Sequence, residues 1–193
     1  PLAWKTYKLW DEKQVNSKLI HVNFRNKDKE GYKNTYTKYE YESGKSIYRP
    51  TYLPTNKFIE ATLVYNLGIR KSCEKCLAKG YNENIDIVLG DWHSEYKGEG
   101  KLGTSCIITY SLRGDKYVME NLTGLREIDY SMLVKKNECI EKSIVFEKNR
   151  DYFFDAIKDY ENWKHIEKLY PLKYQIKKLL VKLKIYDVLK GKI

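Results

Sequence analysis

The sequence predicts a mixed α/β fold of the α+β kind, with a mostly β central body, flanking helices and a basic C-terminal helix. Short runs of alternating or β-branched residues recur through the first 110 positions of the 193-residue chain, and such runs favour strands. Apolar residues at spacings of three and four dominate after Asn149, and this period is typical of amphipathic helices. Strand patterns alternating with helix patterns place the chain in the mixed class.

The first part of the chain predicts a helix followed by a small sheet. Apolar residues recur at helical spacing in the helix, residues 18–25 alternate with a period of two, and residues 34–41 are rich in Thr and Tyr. A Ser43-Gly44 turn separates the last two strands and predicts a hairpin. In chain order, the predicted elements are a helix over residues 2–15 and strands over residues 18–25, 34–41 and 46–48.

The middle of the chain predicts another helix and two more strands. Thr55 is expected to cap the helix, with Gly68 as its C-terminal cap. Residues 85–89 form a continuous apolar-rich run, which predicts a central strand. Residues 105–110 are rich in β-branched side chains and predict a further strand.

The C-terminal part predicts two helices separated by Pro171, because proline interrupts a helix. One helix has an apolar face beginning at Phe153, and the other has an apolar stripe from Leu172 to Tyr186 with lysines on its remaining faces. Residues 1–160 are therefore predicted to form one domain, and residues 161–193 a basic amphipathic tail.

The charge of the chain favours anionic partners. Thirty-six Lys and Arg against 26 Asp and Glu give a net charge of +10, which favours a nucleotide, a cofactor, a nucleic acid or an anionic lipid. Nine lysines and two acidic residues from Trp163 to Ile193 give that segment a net charge of +7. No apolar run approaches the roughly 20 residues that span a bilayer, and no leader precedes the first helix, so a cytoplasmic protein is expected.

Cys73 and Cys76 carry the clearest local signal for a metal site. A two-residue spacer lets both thiolates converge on one metal centre, and cationic neighbours lower the pKa of a thiol. The spacing alone leaves three interpretations open, namely an iron–sulfur cluster, zinc and unliganded thiols. Cys106 lies in an apolar strand and is interpreted as a buried structural cysteine, whereas Cys139 follows a polar turn.

Two segments are candidates for binding phosphate. Residues 97–105 combine glycines, two lysines including Lys101, and the hydroxyls of Thr104 and Ser105, a combination that suits an anion. A hairpin connection in solvent explains the same residues. Arg25 and Lys27 end a predicted strand, so they would face a cleft at the sheet edge or simply lie in solvent.

Taken together, these motifs resemble the C-terminal domain of the coenzyme F-420 hydrogenase/dehydrogenase beta-subunit family, including its relatives encoded among bacterial capsule and exopolysaccharide genes. The order and spacing agree over roughly residues 1–160. The family segment "FR.K..G" is matched by Phe24, Arg25, Lys27 and Gly31, and the segment "R.SC..C" is matched by Arg70, Ser72, Cys73 and Cys76. The segment "DI..GD.W" is matched by Asp86, Ile87, Gly90, Asp91 and, one place early, Trp92. The segment "GTS" is matched by Gly103, Thr104 and Ser105.

The resemblance implies two cofactors. Cys73 and Cys76 would supply part of a [4Fe–4S] site, and the other ligands would come from an N-terminal half with "GTPCQ" and "CHG..S" motifs. A flavin, FAD or FMN, would be bound by Arg25, Lys27, Asp91, Lys101 and the loop of Gly103, Thr104 and Ser105. Two departures are an Asn at position 26, where the family usually has Asp, and an altered "DFWG" segment at residues 91–94.

The expected function is therefore that of the C-terminal half of a flavin- and iron–sulfur-dependent oxidoreductase, with no side-chain base assigned. Its partner would be the missing N-terminal half or an electron-transfer subunit. A zinc- or cluster-stabilised interaction module without activity is the alternative, and nucleic-acid binding ranks third. The basic tail is expected to pack on the body or to lie on an anionic membrane surface. Cys73, Cys76, the Asp91 strand end and the Thr104 loop are expected to converge on one site.

Overall fold

The structure, a computed structural model, describes residues 2–29, 31–32, 34–51, 56–92 and 103–182. These residues form helices and two small antiparallel sheets, so the predicted mixed α/β class is confirmed. The helices are α1 (Leu2–Val15), α2 (Lys57–Ile59), α3 (Leu112–Asn121), α4 (Tyr130–Lys136), α5 (Arg150–Ala156) and α6 (Leu172–Lys182). The strands are β1 (Leu19–Asn26), β2 (Tyr36–Tyr41), β3 (Ser46–Pro50), β4 (Ile87–Asp91) and β5 (Ser105–Thr109).

The chain divides into two compact units. The larger unit comprises Pro1–Lys29, Asn34–Arg70 and Val145–Ile193, and the smaller unit comprises Glu30–Lys33 and Lys71–Ile144. Within the described residues, no helix is both long enough and apolar enough to cross a membrane. The domain boundary at residue 160 stays a prediction.

The sheet of the larger unit alternates in β2 but not in β1, for which alternation was predicted, because Ile20 is 67% exposed and Phe24 is 39% exposed. Its antiparallel order is β1-β2-β3, and β2 buries Thr37, Tyr39 and Tyr41 while the residues between them are partly exposed. The strand period of two places these three side chains on one face. The turn between β2 and β3 uses Gly44 at a φ of 79°, a conformation that glycine adopts without strain.

The helix after the sheet differs from its prediction. Thr55 lies outside the described residues, and the side chain of Asn56 caps α2 by accepting from the Ile59 backbone N–H. The helical path continues as a π-helix, Glu60–Val64, and stops there. Gly68 is thus not the C-terminal cap. A Cβ at position 68 would lie 2.4 Å from Thr62 Cγ2, so glycine is favoured there by the close approach of the chain to Thr62.

The core of the larger unit is mainly aromatic. Trp163 lies 5.1 Å from Tyr7 and 5.7 Å from Phe153, measured between ring centroids, in edge-to-face arrangements. This edge-to-face geometry is favoured by the ring quadrupoles. Trp163 belongs to a 3-10 segment, Tyr160–Leu169, and its indole N–H donates to Thr6 Oγ1 at 3.0 Å.

A buried ionic network lies beside this aromatic core. The carboxylate of Asp11 is fully buried and pairs with Arg49 Nη2 at 2.6 Å from Oδ1. Tyr41 donates its hydroxyl to Asp11 Oδ2 at 2.5 Å, and Tyr7 donates to Oδ1 at 3.4 Å. A buried carboxylate requires both a countercharge and hydrogen bonds. Asp11 on α1 receives them from Tyr41 on β2 and Arg49 on β3, so the network joins the helix to both strands.

The smaller unit is built around the pair β4 and β5. Its buried cluster consists of Trp92, Cys106, Ile108 and Leu133. The predicted central position of β4 is not observed, because within the described residues β4 pairs with β5 alone and Leu89 is 72% exposed. An apolar run does not itself reveal whether both faces of a strand are covered.

Candidate functional site

The structure brings three of the predicted cofactor-binding residues together at one end of the β4–β5 sheet. Asp91 and Ser105 are cross-strand partners. The backbone N–H of Trp92 donates to the Thr104 carbonyl at 2.9 Å. The antiparallel ladder therefore holds Asp91, Thr104 and Ser105 beside one another, although Thr104 follows Asp91 by 13 positions in the sequence.

Gly103, the fourth member of this group, has a structural role at the entrance to β5. Its φ is 83°, and a Cβ added there would lie 2.6 Å from Cγ of Tyr32. Tyr32 in turn donates its hydroxyl to the Trp92 carbonyl at 3.4 Å. A glycine is required here because the backbone both adopts a left-handed conformation and passes over an aromatic ring. Lys101 lies outside the described residues.

Two cavities of this unit differ in size, and the larger of them adjoins Thr104 and Ser105. Its volume is about 740 Å³, within the range of small-molecule and cofactor sites. Apolar and polar side chains share the lining. The side chains and segments on the lining are Trp92, Thr104, Ser105, Cys106, Ile107, Thr109, Asp115, Val118, Met119, Gly124, Leu125, Arg126, Glu127 and Ile128. Arg126 is the cation of this lining, and it was not singled out by the sequence because it belongs to no motif.

The smaller cavity, of about 310 Å³, is lined in part by the other face of β5. Ile108 and Tyr110 contribute to it, whereas Ser105, Ile107 and Thr109 line the larger cavity, and Cys106 lines both. This division follows from the alternation of side chains along a strand. Asp91 and Cys139 also line the smaller cavity.

Cys73 and Cys76 lie in and just after a 3-10 turn, Lys71–Cys73, and both are free, half-exposed thiols. The backbone N–H of Cys76 donates to Ser143 Oγ at 3.3 Å. Further along, the Gly80 N–H donates to the Ile140 carbonyl at 2.9 Å. The segment after the cysteine turn therefore runs beside residues 139–143.

The donor set around these thiols fits half of a cluster site. A [4Fe–4S] cluster takes four thiolate ligands, and Cys73 and Cys76 supply two. Among the described residues, no group of three or more His, Cys, Asp and Glu is arranged to hold a metal ion. The two thiols and the Asp91–Ser105 end belong to the same unit, and their convergence on one site stays a prediction.

The remaining predicted residues, Arg25 and Lys27, belong to the larger unit. Arg25 is exposed near the end of β1, and Lys27 is half-exposed just beyond it. Asn26, which replaces the Asp of the family motif, is buried and donates from Nδ2 to Asp28 Oδ2 at 2.7 Å. The carboxylate of Asp28 thus lies beside this segment, two positions after Asn26.

Electrostatics distinguish two groups in the smaller unit. Burial raises the pKa of the Cys106 thiol, and the nearby Asp91 carboxylate and Cys139 thiol act in the same direction. At the start of α3, Arg113 and then Ser111 hydrogen-bond to Asp86 and lower the pKa of its carboxyl. Ser111 also caps α3 by accepting from the Gly114 N–H at 3.0 Å, so Asp86 fixes the helix start against β4.

Comparison of the chain with protein-family models, with curated proteins and with solved structures finds no match.

Proposed function

We propose that the chain is the C-terminal part of a flavin- and iron–sulfur-dependent oxidoreductase similar to the coenzyme F-420 hydrogenase/dehydrogenase beta subunit. One observation carries the proposal. The cysteine pair and the Thr104–Ser105 segment, which the motif series assigns to a cluster and to a flavin, belong to one compact unit that has a cofactor-sized cavity.

The larger cavity suits a flavin in size and in chemistry. The hydroxyls of Thr104 and Ser105 are hydrogen-bond donors, and the guanidinium of Arg126 suits a phosphate because it presents several donors in a fixed plane. Asp115 and Glu127 also line the cavity. An anionic group is therefore expected to be held by local hydrogen bonds rather than by an excess of positive charge.

The cysteine pair suits a shared cluster site. Because Cys73 and Cys76 supply two of four ligands, the proposal requires the others from a partner segment, either an N-terminal half or an electron-transfer subunit. When bound, a flavin would supply hydride exchange with a pyridine-like donor, and the cluster would supply single-electron transfer. The chain's own residues position the cofactors and exclude water. A cytoplasmic location belongs to the proposal, because it keeps the free cysteines reduced.

A zinc-stabilised interaction module is the second candidate, and the small core of the smaller unit favours it. Its buried apolar cluster has four members, and a structural metal adds stability where a core is small. In this alternative the two thiols bind zinc together with ligands from a partner, and the larger cavity has no flavin.

Cofactor content separates the two candidates. The full-length protein is purified without oxygen, and its flavin, iron, acid-labile sulfide and zinc are measured. The oxidoreductase gives a coloured protein with flavin and cluster absorbance, whereas the module gives a colourless protein with zinc. Arg126→Gln should lower flavin occupancy, and Lys116→Gln, whose side chain is 74% exposed on α3, should leave it unchanged. Equal flavin loss in both variants would contradict the assignment of the cavity.

A further inference from the structure

Cys106 and Cys139 lie on the wall of the same cavity, although neither belongs to the CxxC motif. The cavity of about 310 Å³ is lined by both residues, together with Lys79, Asp91 and several aliphatic side chains. Cys106 is 7% exposed, whereas Cys139 is exposed at the surface. One thiol on the wall of this cavity is thus buried and the other is accessible to solvent.

The backbone on both sides holds the two residues in place. Cys106 is the cross-strand partner of Gly90, and a Cβ on Gly90 would lie 3.1 Å from Cys106 Sγ. Cys139 belongs to a 3-10 turn, Glu138–Ile140, whose Ile140 packs against the buried cluster that contains Cys106. Lys79 Nζ donates to the Cys139 carbonyl. The two cysteines are therefore fixed on neighbouring elements around one space.

The geometry points to a redox-active thiol pair in which Cys106 and Cys139 form a disulfide when a small hydroperoxide reaches the smaller cavity. This inference requires neither a bound flavin nor a cluster, although Cys106 also lines the larger cavity and Asp91 also lines the smaller one. Closing the disulfide would join β5 to the 3-10 turn and narrow the cavity. The Cα atoms of a disulfide usually lie about 4.4–6.8 Å apart, so the inference requires the turn to bring Cys139 within that distance of Cys106.

The roles of the two thiols follow from their surroundings. Cys139 is exposed, so it is the thiol that meets the oxidant. Cys106 is buried, and burial raises the pKa of its thiol, so it is the less reactive of the two toward an oxidant in solvent. Cys139 is thus the attacking thiol and Cys106 is the resolving thiol.

The reaction balances with the peroxide as the oxidant. The Cys139 sulfur attacks one peroxide oxygen, the O–O bond breaks, and the alcohol leaves as Cys139 becomes a sulfenic acid. The Cys106 sulfur then attacks the sulfenic sulfur, the S–O bond breaks, and water leaves with the Cys106 proton. Two thiols lose two electrons and two protons, and the hydroperoxide is reduced to an alcohol and water.

The test is peptide mapping of the full chain after one equivalent of hydrogen peroxide and alkylation of the remaining thiols. We expect a disulfide between the peptides of Cys106 and Cys139. Cys106→Ser should abolish this disulfide and leave a sulfenic acid on Cys139 that reacts with dimedone. Cys73→Ser is the matched control and should leave the Cys106–Cys139 disulfide unchanged.

Three outcomes would overturn the inference. They are a disulfide between Cys73 and Cys76 alone, a disulfide that pairs Cys139 with Cys76, and oxidation of Cys139 to a sulfinic acid while Cys106 stays a free thiol. The wild-type map decides between these outcomes even where Cys106→Ser lowers stability. Cys106→Ala, checked by its near-ultraviolet circular dichroism, serves as a second variant for the buried position.

Discussion

Removing the Asp11 carboxylate should destabilise the larger unit strongly. Asp11 is fully buried and contacts Arg49, Tyr41 and Tyr7. In Asp11→Ala, the Arg49 guanidinium loses its countercharge while its side chain remains only 16% exposed. Breaking a buried ion pair by removing one partner costs about 3–5 kcal/mol, so we expect a loss of that size in the free energy of unfolding.

The assay is urea unfolding followed by tryptophan fluorescence. Trp4, Trp10 and Trp163 all belong to the larger unit, so the signal reports mainly on its core. Asp155→Ala is the control, because Asp155 forms an ion pair with Lys158 in which both side chains are about 70% exposed. Exposed pairs contribute about 0–1 kcal/mol.

The double variant Asp11→Leu with Arg49→Met sharpens the test. Replacing a whole buried ion pair by apolar residues is often close to neutral. We therefore expect the double variant to be more stable than Asp11→Ala. The reasoning would be refuted if the unfolding free energy of Asp11→Ala lay within about 1 kcal/mol of the wild-type value. The Asp11 carboxylate would then contribute no more to stability than the carboxylate of an exposed ion pair.

Three further predictions concern other parts of the chain. Gly103→Ala should lower the melting temperature, because the added Cβ would meet the Tyr32 ring, and an unchanged melting temperature would contradict that close approach. The pKa of Asp86 is lowered in the folded chain, so this carboxylate contributes stability that is present above the pKa of an unfolded Asp and is lost as pH falls through the folded pKa. Arg113→Gln should raise the titration midpoint of Asp86, measured by NMR of the carboxyl group. An unchanged midpoint would contradict the pairing of Arg113 with Asp86. Deleting residues 171–193 should leave a cooperative thermal melt, and loss of that melt would show that α6 belongs to the core.

The sheet of the larger unit was predictable because its signals are local. The period of two in residues 18–25 and the Ser43-Gly44 turn predict strand positions and hairpin direction without information from distant residues. The buried face of β1 was not predictable in this way, because it is set by tertiary packing. The Pro171 break between the last two helices is equally local. The cap of α2 lies one residue later than expected, at Asn56 rather than Thr55, because both residue types suit a cap and only the backbone path selects one.

The site was less predictable because it depends on pairings between distant segments. The sequence singled out Asp91, Thr104 and Ser105 by motif, and the β4–β5 ladder explains why they adjoin. No local pattern marks Arg126 or Cys139, which reach their cavities through the turns that follow α3 and α4. The central position predicted for β4 was wrong for a related reason, since strand neighbours are set by tertiary structure.

The most direct test of the proposed function is the amount of iron and acid-labile sulfide bound per chain in Cys73→Ala full-length protein purified without oxygen. Ser72→Ala is the matched control, because Ser72 is an exposed neighbour in the same turn. The proposal predicts that Cys73→Ala loses iron and sulfide together while Ser72→Ala retains both. Full iron loading that survives Cys73→Ala would show that the cysteine pair does not bind the cluster and would contradict the proposed function.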